Sequence, residues 1–277
     1  MMLSVILPAS NEAAWIGDCL SALLASHPVE GGAEVIVVAN GCRDATAEVA
    51  RGFAAEAAAA GWGFEVLELT EGSKPGALNA GDARAQGRIR AYLDADVLVS
   101  PGLLPALTGA LAARSGPAYG SGQALLPRAQ SALSRAYGRF WQQLPFNRAT
   151  VAPGYGLFAV NAAGRARWGE FPRIISDDTF VRLSFAPEER LQVPETYSWP
   201  LAEGFSRLVR VRRRQNQGVE ELDRLYPALR ANSDHRPPGR AAILGLALRD
   251  PAGFAAYAAV SLAVRFGPAE RGWTRGR

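Results

Sequence analysis

Four short apolar runs, separated by stretches of helical character, open this chain and leave few folds available to it. Leu3-Ser4-Val5-Ile6-Leu7-Pro8, Glu34-Val35-Ile36-Val37-Val38-Ala39, Phe64-Glu65-Val66-Leu67-Glu68-Leu69 and Ile89-Arg90-Ala91-Tyr92-Leu93 have strand length and strand composition. Between them, Ala13 to Ser26, Ala47 to Ala60 and the segment that follows Gly76, to Gln86, read as helices, the second capped by Asp44 or Thr46. A β-α-β-α-β-α-β order demands right-handed crossovers and a mainly parallel sheet. Runs this apolar belong in a sheet with helices on both faces. The chain has 277 residues and is 48% apolar, enough for one large α/β domain with a small appendage.

Ligands of such sheets bind beyond the carboxyl ends of the strands. Every polar turn of the first hundred residues lies there: Ser10–Glu12, Asn40–Asp44, the loop Gly72–Gly76 with Lys74, and Asp94-Ala95-Asp96. Two carboxylates one residue apart repel each other unless a cation sits between them. Mg²⁺ is usually held by one or two carboxylates plus substrate phosphates. A solvated turn after a strand has the same composition. The other turns are equally two-sided. Gly41 and Gly76 would let backbone approach a ligand, but Asn40-Gly41 is also a common turn pair. Glu12 suits a ligand or a helix cap, and Lys74 suits a phosphate or solvent.

Taken together, Val5-Ile6-Leu7-Pro8-Ala9-Ser10-Asn11-Glu12, Val37-Val38-Ala39-Asn40-Gly41-Cys42-Arg43-Asp44-Ala45-Thr46, Lys74-Pro75-Gly76-Ala77-Leu78-Asn79-Ala80-Gly81 and Leu93-Asp94-Ala95-Asp96 resemble the motifs of family 2 glycosyltransferases of the GT-A fold, in that family's order. The resemblance implies an inverting transferase that uses a nucleotide-activated sugar, a UDP-sugar in the first instance, with Mg²⁺ or Mn²⁺. It implies base and ribose contacts from Pro8, Ala9, Asn11, Glu12, Asn40 and Asp44. It brings Lys74 to the uracil or diphosphate, Asp94 to ribose or metal, and Asp96 to the metal. Many members carry Asp where this chain has Ala39, so Asn40 would supply that polar contact.

Beyond the D-x-D, Leu103 to Arg114 reads as a helix, Ala118 to Leu126 as a strand and Ser131 to Leu144 as a helix. Gly154-Tyr155-Gly156 resembles the family's glycine-rich strand, which faces donor sugar and acceptor. Asp177-Asp178 forms a second acidic pair at a helix start, where the macrodipole alone would favour carboxylates. The resemblance gives the general-base role to Asp178 and a supporting role to Asp177, with Asp replacing the commoner Glu. Leu191–Pro194 and Tyr197–Pro200 read as a strand region. Arg207 to Gly218 puts arginines outward at helical spacing, either as a solvated face or as a diphosphate clamp through Arg213 and Arg214. It resembles the family's Q/R-x-x-R-W element without the Trp. His235, one of two histidines, is a further candidate metal ligand or a surface residue.

These readings divide the chain into a catalytic domain, 1–220, and a C-terminal helical segment, 221–277. The first has a nucleotide-binding half, 1–100, and an acceptor half, 101–220. The stretches Ala241–Leu248 and Gly253–Phe266 are each too short to span a bilayer, and joined they would put Arg249 and Asp250 in its middle. They suit an interfacial hairpin or helices packed on the domain. Arg265, Arg271, Arg275 and Arg277 beside them suit anionic lipid. The acceptor expected is therefore a hydroxyl of a sugar, a lipid or a polyprenyl-linked precursor, with peripheral membrane contact.

A net charge of +4, concentrated in the second half, points to phosphate or an anionic surface and away from a nucleic-acid partner. Leu3–Leu7 is too short for a signal peptide and meets Pro8, and the two cysteines lack metal spacing, so a cytoplasmic protein with reduced thiols is expected. A nucleotidyltransferase would start with a Gly-rich loop where Pro8–Glu12 stands. A non-catalytic binding module would not need Asp177-Asp178.

Overall fold

The computed structural model describes residues 1–234 and 239–266. In chain order its elements are β1 (Leu3–Ala9), α1 (Ile16–Leu24), β2 (Ala33–Asn40), α2 (Thr46–Arg51), α3 (Ala54–Ala59), β3 (Gly63–Leu69), α4 (Lys74–Arg84) and β4 (Ile89–Leu93). Then come β5 (Leu98–Val99), α5 (Leu103–Ala112), β6 (Tyr119–Leu125), α6 (Ala132–Gln142), α7 (Pro145–Ala149), β7 (Leu157–Asn161) and α8 (Ala162–Arg165). The last are α9 (Asp177–Leu183), β8 (Arg190–Ser198), α10 (Phe205–Leu225), α11 (Arg240–Arg249) and α12 (Pro251–Phe266). They fall into two compact units. The first is Met1–Leu125, Val151–Arg173 and Asp177–Trp199. The second is Leu126–Thr150, Ile174–Ser176 and the chain from Pro200 on.

The first unit is built on one eight-stranded sheet of order β3-β2-β1-β4-β7-β6-β8-β5. The four strands foreseen from the apolar runs are the parallel side, β3 to β4. Past β4 the sheet is mixed: β7 runs antiparallel to β4 and β6, and β8 runs parallel to β6. Alternation of side chains along each strand makes two cores. Leu3, Val5, Leu7, Val35, Val37 and Ala91 face α1 and α5. Ile36 and Val38 face the other way, toward Ala77 of α4. Helix α1 has no side-chain cap, a loss of about 1 kcal/mol. It nonetheless buries Ile16, Leu20 and Leu23 completely, at about 1.5–3 kcal/mol each. Packing, not capping, makes this helix. Cys19 lies in the same core as a free thiol.

Several boundaries differ from expectation for identifiable reasons. The single helix expected over Ala47–Ala60 is two, α2 and α3, because Gly52 ends the first and Phe53 turns into the core. Its N-cap position is Ala45, which makes no side-chain bond, while Asp44 Oδ1 accepts from the N–H of Thr46, the first helical residue, at 3.1 Å. The strand region of Leu191–Pro200 is one strand, β8, whose register against β6 jumps from Ser121↔Gln192 to Gln123↔Thr196. Pro194, which cannot donate to a ladder, sits in that interruption. Lys74, read as a loop residue, is the first residue of α4: Ser73 Oγ accepts from Gly76 N at 3.1 Å and caps the helix, with Pro75 following.

In the second unit, Tyr137, Leu208, Val209, Ala256 and Val260 form a small core that joins α6, α10 and α12. Asp250 caps α12 by accepting from Gly253 N at 2.9 Å, and Arg139 grips the same carboxylate with two bonds of 2.8 Å. That cap makes the two apolar stretches two helices. Among the described residues no helix is long and apolar enough to cross a membrane. Residue 220, the expected end of the catalytic domain, falls inside the unbroken helix α10.

Candidate active site

The strand-end turns of β1, β2 and β3 are stapled to one another. Asn40 is 3% exposed; its Nδ2 donates to Ala9 O at 2.9 Å and to Val38 O at 3.3 Å, and its Oδ1 accepts from Ser73 N at 3.0 Å. Ser10 Oγ donates to Asn40 O at 2.6 Å. Asn11, at φ +55°, accepts from Arg43 N at 2.6 Å, and Glu12 N donates to Thr46 Oγ1 at 2.8 Å. The Asp44 carboxylate accepts from Ala13 N at 3.2 Å and from both N and Oγ1 of Thr46. Burial works against its charge, but these donors outweigh burial and hold its carboxyl below the usual range. Gly41, at φ +54°, lets the third turn close in: a Cβ there would lie 2.6 Å from Gly72.

The Asn40 amide is therefore engaged inside the protein and holds three turns in register, a positioning role beside the base or ribose contact expected of it. Asn11 and Asp44 likewise spend side-chain oxygens on the neighbouring turn. Pro8 reaches the cleft itself.

The cleft lies at the carboxyl end of β4. Pro8, Lys74, Leu78, Tyr92, Leu93, Asp94, Gly154, Gly156, Phe158, Asp177 and Asp178 line it, all from the first unit. Asp94 begins a tight turn closed by Val97 N to Asp94 O at 3.1 Å, and its own N–H donates to Gly156 O at 2.8 Å. Gly156 holds φ +69° with Val97 and Trp199 packed so close that a Cβ would come within 2.8 Å of each. Asp96, two residues on, is half-buried and outside the cleft lining.

Lys74 links the two acidic pairs. Its Nζ is 2.9 Å from Asp94 Oδ1 and 3.3 Å from Asp177 Oδ2. A cation at a helix N-terminus opposes the macrodipole, so this placement requires compensating anions. Burial would lower its pKa, but Asp177, Asp94 and Asp178 more than reverse that and keep it charged. Asp177 is buried; that burial pushes its carboxyl up to about 6, against the pull of Lys74 and with the push of Asp178 and Asp94. Asp178 lines the cleft while its Oδ1 accepts from Thr179 N at 2.7 Å.

The floor was not foreseen. Tyr92 lines the cleft, and its hydroxyl donates to Asp82 at 2.9 Å. Asp82 is clamped by Arg90 at 2.7 Å and Arg165 at 2.8 Å. Asn79 exchanges two bonds with the backbone of Phe171. Helix α4 therefore carries Lys74 at its tip and is anchored twice further along. The sequence signal was the Ser73-Lys74-Pro75 start; Asp82 and Arg165 lie too far apart in the chain to be paired by inspection.

Arg213, expected as part of a diphosphate clamp, donates from its guanidinium to Ala263 O at 2.7 Å, joining α10 to α12 within the second unit. Arg214 also lies on α10 and outside the cleft lining. His235 lies outside the described residues, as do Arg271, Arg275 and Arg277.

Among the described residues no three Cys, His, Asp or Glu side chains gather as a ready metal cage. What the cleft end of β4 offers is one or two hard oxygen donors, Asp94 and Asp96, at a spot already favourable enough to a cation to hold an ammonium. That donor set fits Mg²⁺ or Mn²⁺ whose remaining ligands come from a diphosphate.

Comparison with known proteins places this arrangement. A family model described as Glycosyl transferase family 2 matches residues 4–145. The glycosyltransferase AglE of Haloferax volcanii is 38% identical over 97 residues, a match covering 34% of this chain and 30% of that relative. Among solved structures, the mannosyltransferase PcManGT from Pyrobaculum calidifontis, in complex with GDP-Man and Mn²⁺, superposes with a TM-score of 0.58 at 22% identity, covering 96% of this chain and 76% of that one. S. aureus TarS 1-349 with UDP gives 0.53 at 13% identity, with 100% and 95% covered. Glucosyl-3-phosphoglycerate synthase from Mycobacterium tuberculosis with Mn²⁺, UDP and glucosyl-3-phosphoglycerate gives 0.51 at 20%, with 80% and 79% covered. At these identities the likeness is one of fold, the GT-A type.

Proposed function

The chain belongs to glycosyl transferase family 2, and we propose that it moves a sugar from a nucleotide-diphospho-sugar to a hydroxyl acceptor with inversion at the anomeric carbon. The observation that carries this reading is that Asp94 and Asp178, from the two acidic pairs, line one cleft with Lys74, which pairs with Asp94 and with Asp177 beside Asp178. Pro8 and the stapled turns form the nucleotide end; Glu12 belongs to the first of those turns, and Ala9 is buried beneath it. The donor is a UDP- or GDP-sugar, the two nucleotides that the similar folds hold.

Asp178 takes the proton of the acceptor hydroxyl as its oxygen bonds to the anomeric carbon; the bond from that carbon to the diphosphate breaks, and the electron pair leaves with the nucleoside diphosphate. Lys74 stays cationic and faces the phosphates, where it stabilises the charge that develops on the leaving group. Asp177, buried behind Asp178, holds Lys74 in place. The residues that would hold a divalent cation are Asp94 and Asp96; such an ion supplies charge neutralisation for the diphosphate. The acceptor class is a sugar or lipid alcohol, by analogy with the expectation from the C-terminal helices.

The test is incubation with Mn²⁺ or Mg²⁺ and a panel of UDP- and GDP-sugars. Release of nucleoside diphosphate, raised by an alcohol acceptor, is the expected result. Pyrophosphate from a nucleoside triphosphate and a sugar phosphate would replace this reading with nucleotidyl transfer, and donor binding without any turnover would end it.

A further inference from the structure

The second unit presents a surface that the transfer reaction does not use. Helix α12 spends Gly253, Ala256 and Val260 inward, and its neighbours there are α6 and α10. No described side chain of α11 is buried. The outward positions of both helices should then be polar, and they are not. Leu244 and Leu248, one turn apart on α11, are 62% and 76% exposed; Leu262 and Phe266, one turn apart on α12, are 57% and 75% exposed. Each stripe ends beside an arginine, Arg249 or Arg265, and the Arg265 guanidinium lies 5.4 Å from the centre of the Phe266 ring. Paired apolar side chains left in water on two adjoining helices mark an interaction surface.

Charge says what covers it. The modest net charge hides a division: the first unit carries 12 Lys and Arg against 19 Asp and Glu, the second 18 against 7. A second copy of this chain would set two strongly cationic units against each other. A nucleic acid would satisfy the arginines and leave four large apolar side chains in water. A bilayer with anionic headgroups meets both demands, since arginines reach phosphates while leucine and phenylalanine enter the boundary beneath.

We infer that the outward face of α11 and α12 docks the protein on the surface of a membrane that contains anionic phospholipid. The helices lie on the surface; neither is long and apolar enough to cross. The inference goes beyond the transferase reading and is measured without turnover.

The experiment is co-sedimentation of the full chain with vesicles of phosphatidylcholine alone or mixed with phosphatidylglycerol. Binding to the mixed vesicles should be at least about tenfold tighter and should weaken in high salt. The double variants Leu244→Ser with Leu248→Ser, and Leu262→Ser with Phe266→Ser, keep every charge and should each lose about tenfold in partitioning. Their melting curves, matched to the parent, check that they fold. Protein left in the supernatant with mixed vesicles overturns the inference. So do variants that bind like the parent, or a dimer in velocity sedimentation that the same variants abolish while vesicles capture nothing. Failed vesicle binding with nucleotide-sugar turnover intact sinks the docking alone; intact vesicle binding without turnover sinks the transferase reading alone.

Discussion

Asp94-Ala95-Asp96 ends a strand, whereas Asp177-Asp178 begins a helix. In the first pair a tight turn, closed by Val97 N on Asp94 O, leaves both carboxylates half-exposed. Water screens their repulsion, and Asp94 holds the Lys74 ammonium at 2.9 Å. In the second pair the residues are adjacent on a helix, so their side chains diverge by roughly 100°. Both line the cleft, but one is driven inside, 4% exposed, and the other is half-buried. The helix dipole favours both charges, yet burial raises the pKa of the inner one. Identical side chains thus become a half-exposed pair in one place and a half-buried carboxylate with a buried neighbour in the other. Spacing and element type make the difference, and Lys74 spans the two.

The sharpest way to break this contrast is Asp178→Asn. Transfer should fall by about 10²- to 10⁴-fold while donor affinity holds, as read by single-turnover kinetics and calorimetry. Turnover close to the parent's would move the base elsewhere. Asp96→Ala acts on the other pair. It should weaken Mn²⁺-dependent nucleotide binding by more than the ~10- to 100-fold that loss of a supporting partner costs at metal sites. Titration calorimetry with and without Mn²⁺ decides; equal affinity for parent and variant removes Asp96 from the ligand set.

Lys74→Met tests the link. Removing one partner of a buried pair costs about 3–5 kcal/mol. Lys74 and Asp94 are each about a third exposed, so solvent screening reduces the expected loss to about 1–2 kcal/mol in a denaturant titration at neutral pH. A gain in stability would mean the ammonium does not bind the pairs together. The smallest effect is one of pH. The Asp177 carboxyl titrates at about 6 in the folded protein, above the ordinary carboxylate value. A raised acid favours folding fully below that ordinary range and loses the contribution as pH climbs through its folded value. Asp177→Asn should flatten the fall in melting temperature across that window. An unchanged slope would assign the pH dependence to another group.

Much of the catalytic frame was legible because it is local. The parallel strands follow from apolar runs whose flanking turns need only near neighbours, and strand ends collect ligands in any such sheet. The motifs that carried the family resemblance are contiguous, so their order alone pointed to the fold. Asn40 shows where this stops. A polar side chain in a Gly-containing turn reads as a ligand contact, and only the arrival of Ala9 and Ser73 from other turns reveals that its amide is already spent. Arg213 shows the same: the helix period places it outward, but α12 arrives to take its guanidinium.

Alone, the sequence determined which strands form, where their polar ends gather, and that one acidic pair ends a strand while the other begins a helix. Those are consequences of hydrophobic period and of charges placed close along one chain. The tertiary structure alone decided that Lys74 stands between residues 94 and 177, that Asp82 supports the cleft through Tyr92, and that most of the cationic residues fall in the same unit as the exposed leucines of α11 and α12. Each depends on groups far apart in the chain, and no local period encodes the distance between them once folded.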